Sequence, residues 1–139
     1  MNKGKFPVLS LSCTKEIACE FSLSQREVEL LALENGICPS RYERSIGTFG
    51  FDGQAGLLRA SAAVVGCGGL GGWIIEILAR AGVGRIVMAD GDVFDENNLN
   101  RQLFASESDI GRSKSECAAR RVREINSSVT PVPYNVIAD

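Results

Sequence analysis

The apolar positions along this 139-residue chain fall into patches of different period, and those periods predict its elements. Residues 1–22 show no convincing repeat and read as a loosely ordered arm. From Ser24 the pattern sharpens. Ser24-Gln-Arg-Glu27 has capping-box spacing, and Val28, Leu30, Leu31 and Leu33 give the next segment an apolar side. Gly36 and Pro39 supply a stop, so a short N-terminal helix is expected over about 25–35. A glycine-punctuated stretch runs through Gly47, Gly50, Gly53 and Gly56. Next come an apolar strand at about 61–66, a long helix at about 69–82 and a second strand at about 85–90. In the long helix Leu70, Ile74, Ile77 and Leu78 form one stripe, which Trp73 and Ile75 widen. Such breadth predicts burial against something besides a sheet, a second subunit being one candidate. A polar segment over 91–110 leads to a third helix from near Ser113 to near Asn126. The last apolar run, Val129–Ile137, carries Pro131 and Pro133. Proline cannot donate to a ladder, so this run should be an edge strand.

The junction of the first strand and the long helix carries the chemistry. Ala62-Ala-Val-Val-Gly-Cys-Gly-Gly-Leu-Gly71 places Gly66, Gly68, Gly69 and Gly71 where a strand turns into a helix. Glycines in this pattern permit a tight turn, close approach of a phosphate to backbone and close helix-on-strand packing. The helix start presents N–H groups and a positive dipole end to an anion. Asp90 closes the second strand 19 residues beyond Gly71, where a ribose-binding carboxylate belongs. Together these features predict an adenine-nucleotide site in an α/β, Rossmann-like, doubly wound parallel sheet. In that topology the proline-bearing third strand is an edge, giving the order 3-2-1. The far side of the first strand should pair with a fourth strand, which would lie past the end of the chain, so the pattern is that of an N-terminal half.

Composition narrows the class. Hydrophobic residues make up 45% of the chain, which suits a globular domain, and 15 basic against 17 acidic residues give a net charge of −2. This balance argues against a bulk nucleic-acid or acidic-membrane binder. No run approaches the roughly 20 apolar residues that cross a bilayer, and a cytoplasmic location is expected. The five cysteines are scattered and there is no histidine. Ordinary reduced thiols are expected, with no metal centre and no histidine-based triad. Ser113-x-x-Glu116 has capping-box spacing, which puts Arg112 and Lys114 at the N-terminal end of the third helix. Cations are disfavoured there by roughly 0.3–1 kcal/mol each, a penalty that a bound polyanion reverses. Arg120, Arg121 and Arg123 suit the other end of the dipole and need no ligand.

Seven short segments occur in an order that resembles the ThiF/MoeB/HesA family, relatives of the ubiquitin-activating enzymes. They are Arg41-Tyr-Glu-Arg44, Gly50-Phe-Asp-Gly-Gln54, Gly66-Cys-Gly-Gly-Leu-Gly71, Ala81-Gly-Val-Gly84, Asp90-Gly-Asp92, Asn98-Leu-Asn-Arg-Gln102 and Gly111-Arg-Ser-Lys114. The resemblance divides the chain into an arm and helix (1–40) and the N-terminal half of an ATP-binding adenylation domain (41–139). It implies ATP with Mg²⁺, and adenylation of the C-terminal glycine of a ubiquitin-like or sulfur-carrier protein ending in Gly-Gly. It also implies that Asp90 holds the ribose, that Arg101 and Lys114 contact the phosphates, and that Arg44 reaches the neighbouring subunit's site in a homodimer. Asp92, Asn98 and Gln102 accompany them as nucleotide-side positions, with Asn98 and Gln102 also suited to shaping their turn. The family's magnesium-binding aspartate and its paired C-x-x-C zinc motifs would lie beyond Asp139. Two other readings fit the glycine pattern: the cofactor domain of an NAD-dependent oxidoreductase, and a truncated, non-catalytic member that binds a nucleotide or a partner. The first explains Gly66, Gly68, Gly71 and Asp90 but leaves Arg101 and Lys114 without a role.

Overall fold

The structure, a computed structural model, describes residues 6–136. The chain divides into two compact units, Met1–Arg59 and Ala60–Asp139.

The first unit contains β1 (Val8–Leu9), α1 (Leu11–Phe21), α2 (Gln25–Glu34), β2 (Cys38–Pro39) and α3 (Ile46–Arg59). The two short strands pair in parallel. Helix α1 corrects the expectation of a loose arm. Ser10 caps it by accepting from the Cys13 amide at 3.2 Å, and Ser22 ends it in the left-handed region at φ 55°. Its buried positions are Thr14 and Ala18, one turn apart. A small alanine and a threonine make a weak apolar signal, which is why the period is hard to read. Helix α2 has the expected capping box: the Glu27 amide donates to Ser24 Oγ and the Ser24 amide to Glu27 Oε2. The glycine-punctuated stretch is helix α3, interrupted at Gly50, where φ 68° is a conformation that favours glycine. Leu33, Cys38, Tyr42, Ile46, Ala55 and Leu58 form the core, with Phe6 and Phe51 edge-to-face beside it.

The second unit is a parallel sheet with two helices. Strands β3 (Ser61–Val65), β4 (Arg85–Ala89) and β5 (Thr130–Tyr134) lie in the order β3-β4-β5, so the first strand and the proline strand are the two edges. Helix α4 (Gly69–Ala81) joins β3 to β4, and α5 (Lys114–Ile125) precedes β5. In β5 the Thr130 amide donates to Gly84 O and Tyr134 O accepts from the Asp90 amide. Even-numbered residues of β5 therefore face β4, and the nitrogens of Pro131 and Pro133 point to the open edge, where no donor is needed.

Helix α4 buries Gly72, Ile75, Glu76 and Ala79, at a spacing of three or four residues. Within the broad apolar face, Leu70, Ile74 and Ile77 are exposed, Leu78 is half-buried, and Trp73 is exposed while Ile75 is fully buried. Small residues at Gly72 and Ala79 let the helix approach its neighbours closely. The tightest approach is at Gly71, where a Cβ would stand 1.7 Å from Gly66 O and 2.8 Å from Gly66 C. Glu76 joins α4 to α5. Arg121 Nε and Nη2 each donate to its carboxylate at 3.0 Å, and Arg80 donates to Oε1. Burial pushes this carboxyl up, but the hydrogen bonds from Arg121 and Arg80 outweigh it and leave the group below its ordinary value of 4.5.

Gly71→Ala should lower the free energy of unfolding by about 1–3 kcal/mol, the cost of overpacking. Gly72→Ala, whose Cβ would find only ordinary 3.6 Å contacts, should be neutral or slightly stabilising. Chemical denaturation of both variants checks the pair. Because the folded Glu76 carboxyl titrates below its unfolded value, its contribution is complete above the usual carboxylate range. It is lost as the pH falls through the lower folded value. Acid denaturation of Glu76→Gln should therefore show a shallower loss of stability with falling pH than that of the unchanged protein.

Candidate nucleotide site

Strand β3 ends at Gly66, whose φ of 88° turns the chain sharply. Cys67 is buried in the turn, and Gly68 precedes α4 as its N-cap with no side-chain capping bond. The Gly72 amide donates back to Gly68 O at 3.0 Å. The amides ahead of it in the first turn have no intrahelical acceptor. Gly69 opens the helix, half-buried. The glycine positions thus divide their work. Gly66 supplies the positive φ, Gly71 the helix-to-turn contact, and Gly68 and Gly69 the bare, uncapped helix start.

Asp90 follows β4 and is drawn onto this turn. Its Oδ2 accepts from the Cys67 amide at 2.6 Å and its Oδ1 from the Asp92 amide at 2.8 Å. A carboxylate has about four acceptor positions, so two remain for further donors. Beside it lies a cleft of about 210 Å³ lined by Val65, Gly66, Ala89, Asp90, Gly91, Asp92 and Val136. Val65 and Val136 give it apolar walls. Neither is marked by the sequence pattern, since each gains its place only when the ends of β3 and β5 are set on either side of β4.

Lys114 is the first residue of α5, with Ser113 as N-cap accepting from the Glu116 amide at 3.5 Å. Its side chain is buried, and Nζ lies 3.3 Å from Asp92 Oδ2 and 6.0 Å from the Phe94 ring centroid. Asp92 is exposed, so the pair joins a sheltered cation to an acid on the cleft wall. Solvent does not screen this lysine. Its burial makes the helix-dipole penalty larger, and Asp92 is the charge that offsets it.

Asn98, Arg101 and Gln102 lie on the connection from β4 to α5. Asn98 is buried and accepts from the Asp95 amide at 3.1 Å, so it shapes its own turn. Arg101 is exposed, and its Nη1 donates to Asn97 O at 2.6 Å and Asn100 Oδ1 at 3.0 Å. Gln102 is buried with its carboxamide 3.5 Å from the point where a Cβ on Gly68 would stand. Its Oε1 has no hydrogen-bond partner among the described residues. This contact between the connection and the glycine turn needs the tertiary structure to be seen.

Arg44 belongs to the first unit. The structure separates it from Arg41: Arg41 Nε lies 3.1 Å from the carboxylate of Glu29, which is almost wholly buried, while Arg44 is exposed. Arg41 is thus committed to the packing of its own unit and Arg44 is open to solvent.

The cysteines are free, and those near the site are unreactive. Burial, and then the Asp90 carboxylate, push the Cys67 thiol up to about 12. A thiol of this kind is no nucleophile at neutral pH. Among the described residues no group of three acidic or cysteine side chains could hold a metal ion, and no helix is long and apolar enough to cross a membrane. Magnesium binds phosphates and water with one or two carboxylates, so Asp92 can serve it only alongside a bound triphosphate.

Known proteins are similar to this chain. The ThiF family matches residues 42–138. The adenylyltransferase and sulfurtransferase MOCS3 of Xenopus laevis is 41% identical over 98 residues, covering 69% of this chain and 22% of the relative. The SAMP-activating enzyme E1 of Haloferax volcanii is 42% identical over 101 residues, covering 71% of this chain and 37% of the relative. Among solved structures, the E. coli tRNA N6-threonylcarbamoyladenosine dehydratase TcdA in complex with ATP is 33% identical. It has a TM-score of 0.67 and covers 69% of this chain and 40% of that one. E. coli MccB with MccA-N7isoASN is 31% identical, also at a TM-score of 0.67, covering 72% of this chain and 31% of that one. The chain therefore spans between about a fifth and two fifths of these relatives. A family match across the nucleotide turn, the strand-end acid and the connection to α5 places this chain in the ThiF family.

Proposed function

We propose that this chain carries the nucleotide-binding half of an ATP-dependent adenylating enzyme, acting on the C-terminal glycine of a ubiquitin-like or sulfur-carrier protein. The observation that carries the reading is a cleft whose wall holds Asp90 and Asp92, with the buried Lys114 paired to Asp92. Relatives support it by their names: adenylyltransferase, SAMP-activating enzyme, and a dehydratase crystallised with ATP.

In this reading Asp90 receives the ribose hydroxyls while the first amides of α4 face the phosphates. The carrier's terminal carboxylate oxygen attacks the α-phosphorus, the bond from that phosphorus to the bridging oxygen breaks, and pyrophosphate leaves. No covalent group from the protein is required, so the residues contribute alignment and charge. Lys114 turns from Asp92 to a phosphate oxygen, and Arg101 exchanges its Asn97 and Asn100 contacts for another. Magnesium neutralises further charge on the triphosphate when present. Arg44 acts on the neighbouring subunit's phosphates in a homodimer. The apolar walls from Val65 and Val136 suit a purine face.

Charge-assisted hydrogen bonds contribute about 1.5–3 kcal/mol each. Arg101→Ala and Lys114→Ala should therefore each weaken ATP binding by roughly tenfold or more in calorimetry. Unchanged ATP affinity in both variants would refute the reading. Saturable NAD binding with no ATP binding would move the assignment to an oxidoreductase cofactor domain. ATP–pyrophosphate exchange dependent on a carrier ending in Gly-Gly is the direct functional test.

A further inference from the structure

The connection from β4 to α5 is a loop with stitched ends. The Phe94 amide donates to Arg112 O at 3.0 Å, and the Gly111 amide donates to Phe94 O at 2.8 Å. Between them residues 95–110 make an excursion that carries Arg101. The hydrogen bonds of the Arg101 guanidinium end on Asn97 and Asn100, within the same loop. Its position in the unit is therefore decided by whatever fixes the loop.

Two pins do so. Phe104, buried, packs where α4 is bare at Gly72, with its ring 3.6 Å from the site of a Cβ. The second pin is polar. Asp109 is 4% exposed, and its carboxylate accepts from Ser106 Oγ at 2.5 Å and from Arg120 Nη2 at 2.7 Å. Ser106 belongs to the loop, and Arg120 lies on α5, the helix whose first residue is Lys114. One buried carboxylate thus ties the loop bearing one cation to the helix bearing the other. Two cations can grip one polyphosphate only if their separation is held, because misplacement by an ångström loses the paired contact.

We infer that Asp109 and Arg120 are positioning residues that hold Arg101 in register with Lys114 for a nucleotide's phosphates; the inference rests on the phosphate-binding reading of Arg101 proposed above. Neither residue touches the nucleotide. Their effect passes through the loop, so it depends on the phosphate tail and on the presence of the Arg101 side chain.

Both dependences can be measured by titrating the protein with ATP and with adenosine, which has no phosphate. Asp109→Asn should weaken ATP binding about tenfold and leave adenosine within about twofold. In the Arg101→Ala background it should weaken ATP no further, because the group it positions is gone. Arg120→Gln removes the same tie from its more exposed end. It should reproduce the pattern, and it serves alone if Asp109→Asn does not fold. An equal loss of ATP and adenosine affinity, or a loss additive with Arg101→Ala, would assign the pair to general stability and overturn the inference. Arg101→Ala weakening ATP while Asp109→Asn and Arg120→Gln do not would overturn it and leave the phosphate reading standing. No effect of Arg101→Ala would remove the reading beneath both.

Discussion

The second unit is organised around a contact between two stretches of backbone that carry no side chains. Helix α4 comes so close to the end of β3 that the Gly66 carbonyl occupies the space where Gly71 would otherwise bear a Cβ. This approach fixes the angle at which the helix leaves the sheet, and so fixes where its first amides point. It also draws the Cys67 amide onto Asp90, which ties the ends of β3 and β4 together. With a larger residue at Gly71 the helix would have to lift. The cleft between Gly66, Asp90 and Asp92 would then change shape, because its wall and its floor are held by the same contact.

Charge is arranged in layers around that contact. Glu76 and Asp109 are buried carboxylates with arginine partners, and each joins α5 to another part of the unit: Glu76 to α4 through Arg121, Asp109 to the connecting loop through Arg120. Neither pair lines the cleft. The Lys114–Asp92 pair is different in kind. Its lysine is sheltered and its aspartate lies open at the cleft wall, so the acid can be exchanged for another anion without unburying the cation. A buried ion pair contributes little net stability by itself, since desolvation offsets attraction. The asymmetry of exposure is what makes this one suited to binding.

The exposed apolar side of α4 follows from the same geometry. Because the helix is covered along Gly72, Ile75, Glu76 and Ala79, its residues Leu70, Trp73, Ile74 and Ile77 face outward. The apolar residues outnumber the positions this packing covers, so the rest of the broad face stays outward.

Local conformation was legible in the residues. The Ser24–Glu27 capping box, the Gly66 turn, the spans of β3, α4, β4 and α5, and the edge position of the proline strand all depend on neighbours within about four residues or on backbone allowed regions, and the sequence carries both. The family resemblance was legible for the same reason, since its motifs are short and their spacing is preserved. Burial was not. Whether Lys114 is screened or sheltered, whether Arg41 or Arg44 is spoken for, which stripe of α4 is covered, and whether Thr14 and Ala18 are enough to hold a helix are decided by the elements packed beside them. Those pairings join residues 12 to 45 apart, such as Glu29 with Arg41, Asp92 with Lys114 and Glu76 with Arg121. A one-dimensional pattern names the residue types that can meet. Only the folded chain decides which of them do, because desolvation and contact are properties of the space between elements.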